Sequence, residues 1–373
     1  MMSHFKTPFR YDYVGSFLRP AALKQARADF AAGSIGSAEL KAVEDSAIRE
    51  LVAKQKQAGY HVITDGEFRR ATWHLDFMWG FRGVGHSRTD TGLPFHGEAA
   101  MIDDTYLTGR VSVDTHPFVE HFKFLKALED GTTVAKQTIP APAQFLEQMI
   151  MPFAMKNTSR YYSDIADLAE DIAKGYQKVI ADLYAAGCRN LQFDDCSWGM
   201  LVDSRAPVFF GTDAAGLERI KEQLVEINNL AIEGKPEDMV VNTHVCRGNY
   251  HSTYASEGAY DAVAKVLFAK ENVDAFYLEF DDARSGGFAP LACVPEGKKV
   301  VLGLITTKSP KLEDPETVIA RIRDAAQYVP LENLCLSPQC GFASCEIGNK
   351  LTEEEQWAKL ALVKRIAEEV WGA

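Results

Sequence analysis

Residues 242–249 read Asn-Thr-His-Val-Cys-Arg-Gly-Asn, so His244 and Cys246 stand two apart just after the apolar run Met239-Val240-Val241. Residues two apart on a strand project from the same face, which lets an imidazole nitrogen and a thiol sulfur meet one ligand. As a pattern, His-x-Cys is short and common. Two further groups extend it: Glu279 closes the apolar stretch 275–280, and Cys340 closes 334–341. One nitrogen, two sulfurs and one oxygen make a donor set that Zn²⁺ accepts tetrahedrally. Iron–sulfur clusters usually take four cysteines, and magnesium and calcium take oxygens. Taken singly, a cysteine such as Cys340 is more often a small buried hydrophobe, and a histidine at a strand end is more often simply hydrogen-bonded. It is their joint placement at strand ends that points to zinc.

That placement depends on the elements. Eight short β-rich segments lie at 11–16, 61–67, 133–141, 189–195, 239–246, 275–280, 299–306 and 334–341. Helical patterns separate them, the clearest carrying Ile165, Leu168, Ile172, Tyr176 and Ile180 at helical spacing, with Gly187 as a stop. Others fall near 36–58, 213–233, 257–270, 312–328 and 352–371. The alternation predicts a (β/α)8 TIM barrel, whose strand C-termini converge on one functional face. A doubly wound sheet also alternates, but no Gly-x-Gly-x-x-Gly follows the first strand. Residues 71–131, with Trp73, Phe77, Trp79 and Phe81, are too long for a simple helical return and read as an insertion after the second strand, over the barrel mouth. With no repeat or linker, residues 1–373 read as a single catalytic domain.

Composition narrows the partners. The 373 residues carry a net charge of −12 with the signs interspersed, which argues against nucleic acid and against anionic membrane surfaces. No apolar run spans a bilayer, and residues 1–16 lack the core of a signal peptide, so the expected location is cytoplasmic. Seven scattered cysteines are an odd number and do not suggest a disulfide framework. Cys188, Cys196, Cys293, Cys335 and Cys345 read as packing or loop residues. The sequence sets no oligomeric state.

The segments "VGSFLRP", "DGEFRR", "QFDD", "NTHVCRGNY", "YLEFDDARSG", "LGLITTKSP" and "LSPQCGFAS" occur here in that order. In this the chain resembles the C-terminal catalytic half of cobalamin-independent methionine synthases, and most of all their short single-barrel homologues. The likeness runs from Val14 to the last helix. It implies a methyltransferase with a zinc ion on His244, Cys246, Glu279 and Cys340 that receives a thiol, homocysteine in the family. It also implies that Ser16 holds the amino-acid carboxylate and that Glu67 and Asp194 hold its ammonium group. Read without the family, Asp65-Gly66 is a turn after a strand, and Asp194-Asp195 is a helix cap.

Two departures bear on the methyl donor. The family's Asn-Trp-Ser after the third strand is here "QTIPAPAQFL", leaving Phe145 or an aromatic of residues 71–131 as a replacement for its tryptophan. The family's His-Ser-Pro after the seventh strand is Lys308-Ser309-Pro310. Lys308 is the candidate for the catalytic role of that histidine, or for binding an anion, or is a solvated lysine. Methyltetrahydrofolate, a methylated corrinoid protein as partner, or another methylated compound all fit as donor. A thiol alkyltransferase of the epoxyalkane:coenzyme M type and a non-catalytic zinc-binding barrel are the rival readings.

Overall fold

A computed structural model describes residues 7–89 and 91–372. Six parallel strands form one continuous sheet in sequence order: Gln137–Pro140, Asn190–Asp195, Val240–Val245, Ala275–Glu279, Lys299–Ile305 and Leu334–Pro338. The remaining two positions are held more lightly. Val62–Ile63 pairs in parallel with Val134–Ala135, and residues 11–16 join their neighbours through the isolated bridges Tyr11–Leu336 and Ser16–Gly66. The Asp12 amide donates to Leu336 O and the Phe17 amide to Gly66 O, which completes the circle. The fold is the (β/α)8 barrel that the alternation predicts.

The strands are buried on both faces, which explains their near-continuous apolar runs. The barrel interior, however, holds a polar layer. Lys136 and Asp12 form an ion pair at 2.9 Å with both side chains fully buried. Tyr277 donates to Asp12 Oδ2 at 2.9 Å, and Lys136 also reaches Gln192 Oε1 at 3.2 Å. This pair ties the first strand to the third beneath the functional face. A buried pair is net stabilising only when its remaining hydrogen-bonding capacity is met, as it is here.

Helices Ser37–Gln57, Ile165–Ala185, Ala214–Ala231, Pro315–Ala325 and Glu353–Trp371 cover the outside close to their predicted spans. The predicted helix at 257–270 is α-helical only over Ala264–Lys270. Helix Ala21–Ala31 has only Leu23 and Ala26 buried, too narrow an apolar stripe to show in the sequence pattern.

Residues 71–131 divide in two. Pro117–Lys126 is an ordinary outer helix between the second and third strands. Arg82–Ser87 pairs antiparallel with Asp104–Ser112, and between them Leu93–Phe95 pairs with Glu98–Ala100. The tip of this hairpin is fastened to the loops after the fifth and eighth strands. The His96 amide donates to Tyr254 O at 2.8 Å, and Glu98 pairs with His251 at 2.8 Å and Lys350 at 2.7 Å.

Candidate metal centre and substrate pocket

In-register pairing sets Asp194 beside His244, and His244 beside Tyr277, so the fourth, fifth and sixth strands end at one level. His244, Cys246, Glu279 and Cys340 are all buried, and one donor atom from each lies within 4.8 Å of every other. The sulfurs of Cys246 and Cys340 are 3.7 Å apart. A tetrahedral centre with zinc–sulfur arms of about 2.3 Å spaces two sulfurs at about 3.8 Å. Neither ring nitrogen of the buried His244 has a hydrogen-bond partner of ordinary geometry among the described residues, an expense that native structures rarely tolerate. Both observations fit a metal held by these four side chains.

The surroundings suit an anionic donor set. Glu279 accepts from the Arg247 amide at 3.0 Å and from the Arg284 guanidinium at 3.0 Å, which leaves each oxygen a second lone pair. Burial opposes ionisation of Glu279, but the charges of Lys308, Arg284 and Arg247 outweigh it and hold its pKa at about 2. Without a cation between them the two thiols are costly to ionise. Cys246 is pushed well up by the neighbouring Cys196 thiol and by burial, and Cys340 by Cys246 and by burial. The Gly248 amide points at Cys246 Sγ at 3.2 Å, a donor suited to a thiolate.

Ser16, Glu67 and Asp194 line one small cavity with His244, Cys246 and Cys340. Ser16 Oγ accepts from the Ala343 amide at 3.3 Å. Gly341 is required here, because a Cβ on it would lie 1.9 Å from that oxygen. Glu67 has a φ of +62°, an uncommon conformation for a residue other than glycine, which turns its side chain at the strand end. Thr138 donates to Glu67 Oε1 at 2.9 Å, while Oε2 has no partner among the described residues. Burial and then the charge of Glu67 push Asp194 well above the carboxylate range; burial also raises Glu67, against Arg70 and Arg19. Two buried acids that resist ionising together are what a bound ammonium group would relieve. Asp195 points away, accepting from the Ser197 amide at 3.0 Å and from Asn228 at 3.1 Å.

Three expectations need correction. Lys308 is not a solvated lysine, since its ammonium is buried without a hydrogen-bond partner among the described residues and acts electrostatically on Glu279 and Asp281. Phe145 cannot replace the missing tryptophan: it is fully buried and packs edge-on to Phe81 at 5.4 Å. Cys196 is more than a packing residue, because it lines the cavity and its thiol meets that of Cys246. It follows Asp194-Asp195 directly, so its place at the fourth strand's end was the available signal. Trp73 and Asn249 also line this cavity.

Over the mouth lies a second chamber of about 380 Å³. Trp73, Cys196 and Asn249 line both spaces, and Phe95 and Leu93 of the hairpin line the larger one. The inner cavity is only about 20 Å³, close to the space of one water molecule. That space is smaller than an amino acid.

Residues 131–369 match the sequence profile of the cobalamin-independent synthase catalytic domain. This chain belongs to the cobalamin-independent methionine synthase family. Within it, an uncharacterised Bacillus subtilis protein, YxjG, is 41% identical over 98% of this chain and 96% of its own length. A Listeria monocytogenes structure, described as a candidate vitamin-B12-independent methionine synthase, is 40% identical with a TM-score of 0.78, covering 98% of this chain and 99% of that one. A methionine synthase of Saccharolobus solfataricus is 24% identical over 88% of this chain and 86% of its own length. Among the described residues of this family member, no helix is long and apolar enough to cross a membrane.

Proposed function

We propose that this chain is a zinc-dependent methyltransferase that moves a methyl group onto the sulfur of homocysteine, giving methionine, with residues 1–373 as one catalytic domain. The observation that carries the proposal is the cluster of His244, Cys246, Glu279 and Cys340, with both imidazole nitrogens lacking a hydrogen-bond partner among the described residues and the two sulfurs 3.7 Å apart. These four residues would hold the zinc, whose chemistry is to bind a thiol as thiolate at neutral pH and keep its sulfur available to an electrophile.

The chain's own groups do the rest. Glu67 and Asp194 receive the substrate ammonium, which restores their ionised forms. Ser16 donates its hydroxyl to the substrate carboxylate. With both ends of the amino acid fixed, the side-chain sulfur is directed toward the His244–Cys246 end of the cavity. Arg284 and the Arg247 amide hold Glu279, and with Lys308 they offset the negative charge of the donor set. Of the four residues that would hold the ion, Glu279 would be the most readily exchanged, since a carboxylate contact exchanges more readily than a thiolate one. Lys308 takes the position of the family's histidine and sets an ammonium, in place of an imidazole, where its charge acts on Glu279 and Asp281.

The test is a thiol-methylation assay that pairs homocysteine with folate, corrinoid and small methyl donors in turn, alongside the zinc content of the purified protein. Methionine formation that chelation abolishes and zinc restores is the expected result. Protein free of zinc, indifferent to chelators and equally active, would overturn the proposal.

A further inference from the structure

The 380 Å³ chamber is walled mostly by apolar groups, among them the rings of Trp73, Phe95, Phe153, Phe209 and Tyr250. Among the described residues that line it there is one acid. Glu147 lines it, is almost fully buried, and accepts from Gln144 Nε2 at 3.0 Å through Oε2. Its Oε1 has no hydrogen-bond partner among the described residues. Gln144 is itself fixed by the Cys196 amide, at 3.0 Å, so the carboxyl is held in place. Burial and the nearby Asp195 push its pKa up to about 8. Arg205 and the two terminal nitrogens of Arg247, the arginines on the chamber wall, are directed elsewhere. Arg205 pairs with Asp203 at 2.6 Å, and Arg247 donates to Tyr260 Oη and Gly258 O, each at 2.7 Å.

Aromatic faces and a buried, uncompensated carboxyl share one preference. Both attract a positive charge that carries its own apolar surface. We propose that the chamber binds a methylated onium cation, a methylsulfonium or a quaternary methylammonium, with Glu147 as its counter-ion and the aromatic walls around its methyl groups. This rests on the thiol-methylation reading above and names the donor class for that site.

The chemistry closes without a further reactant. The methyl–sulfur or methyl–nitrogen bond of the donor breaks, and its electron pair stays on the donor, which leaves as a neutral thioether or tertiary amine. A lone pair of the acceptor thiolate forms the new sulfur–methyl bond, the thiol proton having been lost to solvent. A neutral tertiary amine acting as the donor would have to be protonated before it could give up a methyl group; an onium donor does not. Trp73, Cys196 and Asn249, common to both cavities, mark where the methyl group would face the thiol.

The test is calorimetric titration of the full-length, zinc-loaded protein with trimethylsulfonium and, separately, tetramethylammonium, against tert-butanol as a neutral probe of similar size. The cations are expected to bind at least tenfold more tightly than tert-butanol. Glu147→Gln should remove that preference while zinc content is kept, and Phe153→Leu, at an exposed ring on the rim, should weaken the cations several-fold. A difference between the two cations identifies sulfonium or ammonium as the preferred class. Equal binding of tert-butanol, or cation binding unchanged in Glu147→Gln, overturns the proposal. Because the readout is binding, cation selectivity without methylation of homocysteine by any donor would support the chamber and overturn the reaction assigned to the zinc site.

Discussion

Replacing Glu271 by glutamine should stabilise the protein, and by more as the pH rises. Glu271 is fully buried at the end of helix Ala264–Lys270, accepting from Asn228 and from Thr243, each at 2.9 Å. Burial, and then the charge of Asp195, raise its pKa from 4.5 to about 8. The folded chain therefore holds a proton on Glu271 that the unfolded chain has released above about pH 4.5. Stability from this group is complete below that value and falls as pH climbs toward 8, by about 1.4 kcal/mol per pH unit. Between about pH 5.5 and 7.5 the wild type should lose roughly 3 kcal/mol that the glutamine variant, which does not titrate, retains. With an unfolding entropy of about 2.1 cal/mol/K per residue, that is about 3–4 °C of additional Tm difference over the interval. Thermal unfolding of both proteins at matched pH values measures it. Parallel Tm–pH curves would show that Glu271 is already ionised in the fold and that the argument from burial is wrong.

Other predictions concern the site. Cys340→Ser should lower zinc from about one ion per chain to a minor fraction, read by metal analysis; full retention would remove Cys340 from the donor set. Asp194→Asn should raise KM for homocysteine by about 10- to 100-fold through loss of a charged hydrogen bond, with zinc unchanged; an unaltered KM would exclude Asp194 from the ammonium site. Gly341→Ala places a methyl group against Ser16 Oγ, where only 1.9 Å is available. It should cost about 1–3 kcal/mol in denaturant unfolding, and wild-type stability would show that this backbone contact is loose.

Much of the barrel is legible in the sequence because six strands are buried on both faces and read as apolar runs ending in polar residues. The four clustered side chains follow from the same rule, since strand ends share a level. What escapes is set by contacts distant in sequence. Nothing around Glu147 reveals that its helix, Pro142–Ile150, turns a carboxyl toward an aromatic chamber roofed by residues 93–102. The burial of Lys308 depends on Glu279 and Asp281, from another strand. Phe145 illustrates the converse: its position after the third strand is right for a donor site, but the side chain faces Phe81 and the core.

The lightly paired first and second strands carry Ser16 and Glu67, whereas Asp194, His244 and Glu279 end strands of the continuous ladder. The two ends of the cavity thus differ in stiffness. His244 and Glu279 are carried by a continuous backbone ladder, while Ser16 and Glu67 sit on a seam whose closure leans on the Lys136–Asp12 pair. A barrel made this way can loosen the side that carries Ser16 and Glu67 without disturbing the side that carries His244 and Glu279. Amide exchange should record it as slow protection across 240–245 and 275–279 and faster opening at 11–16 and 62–66.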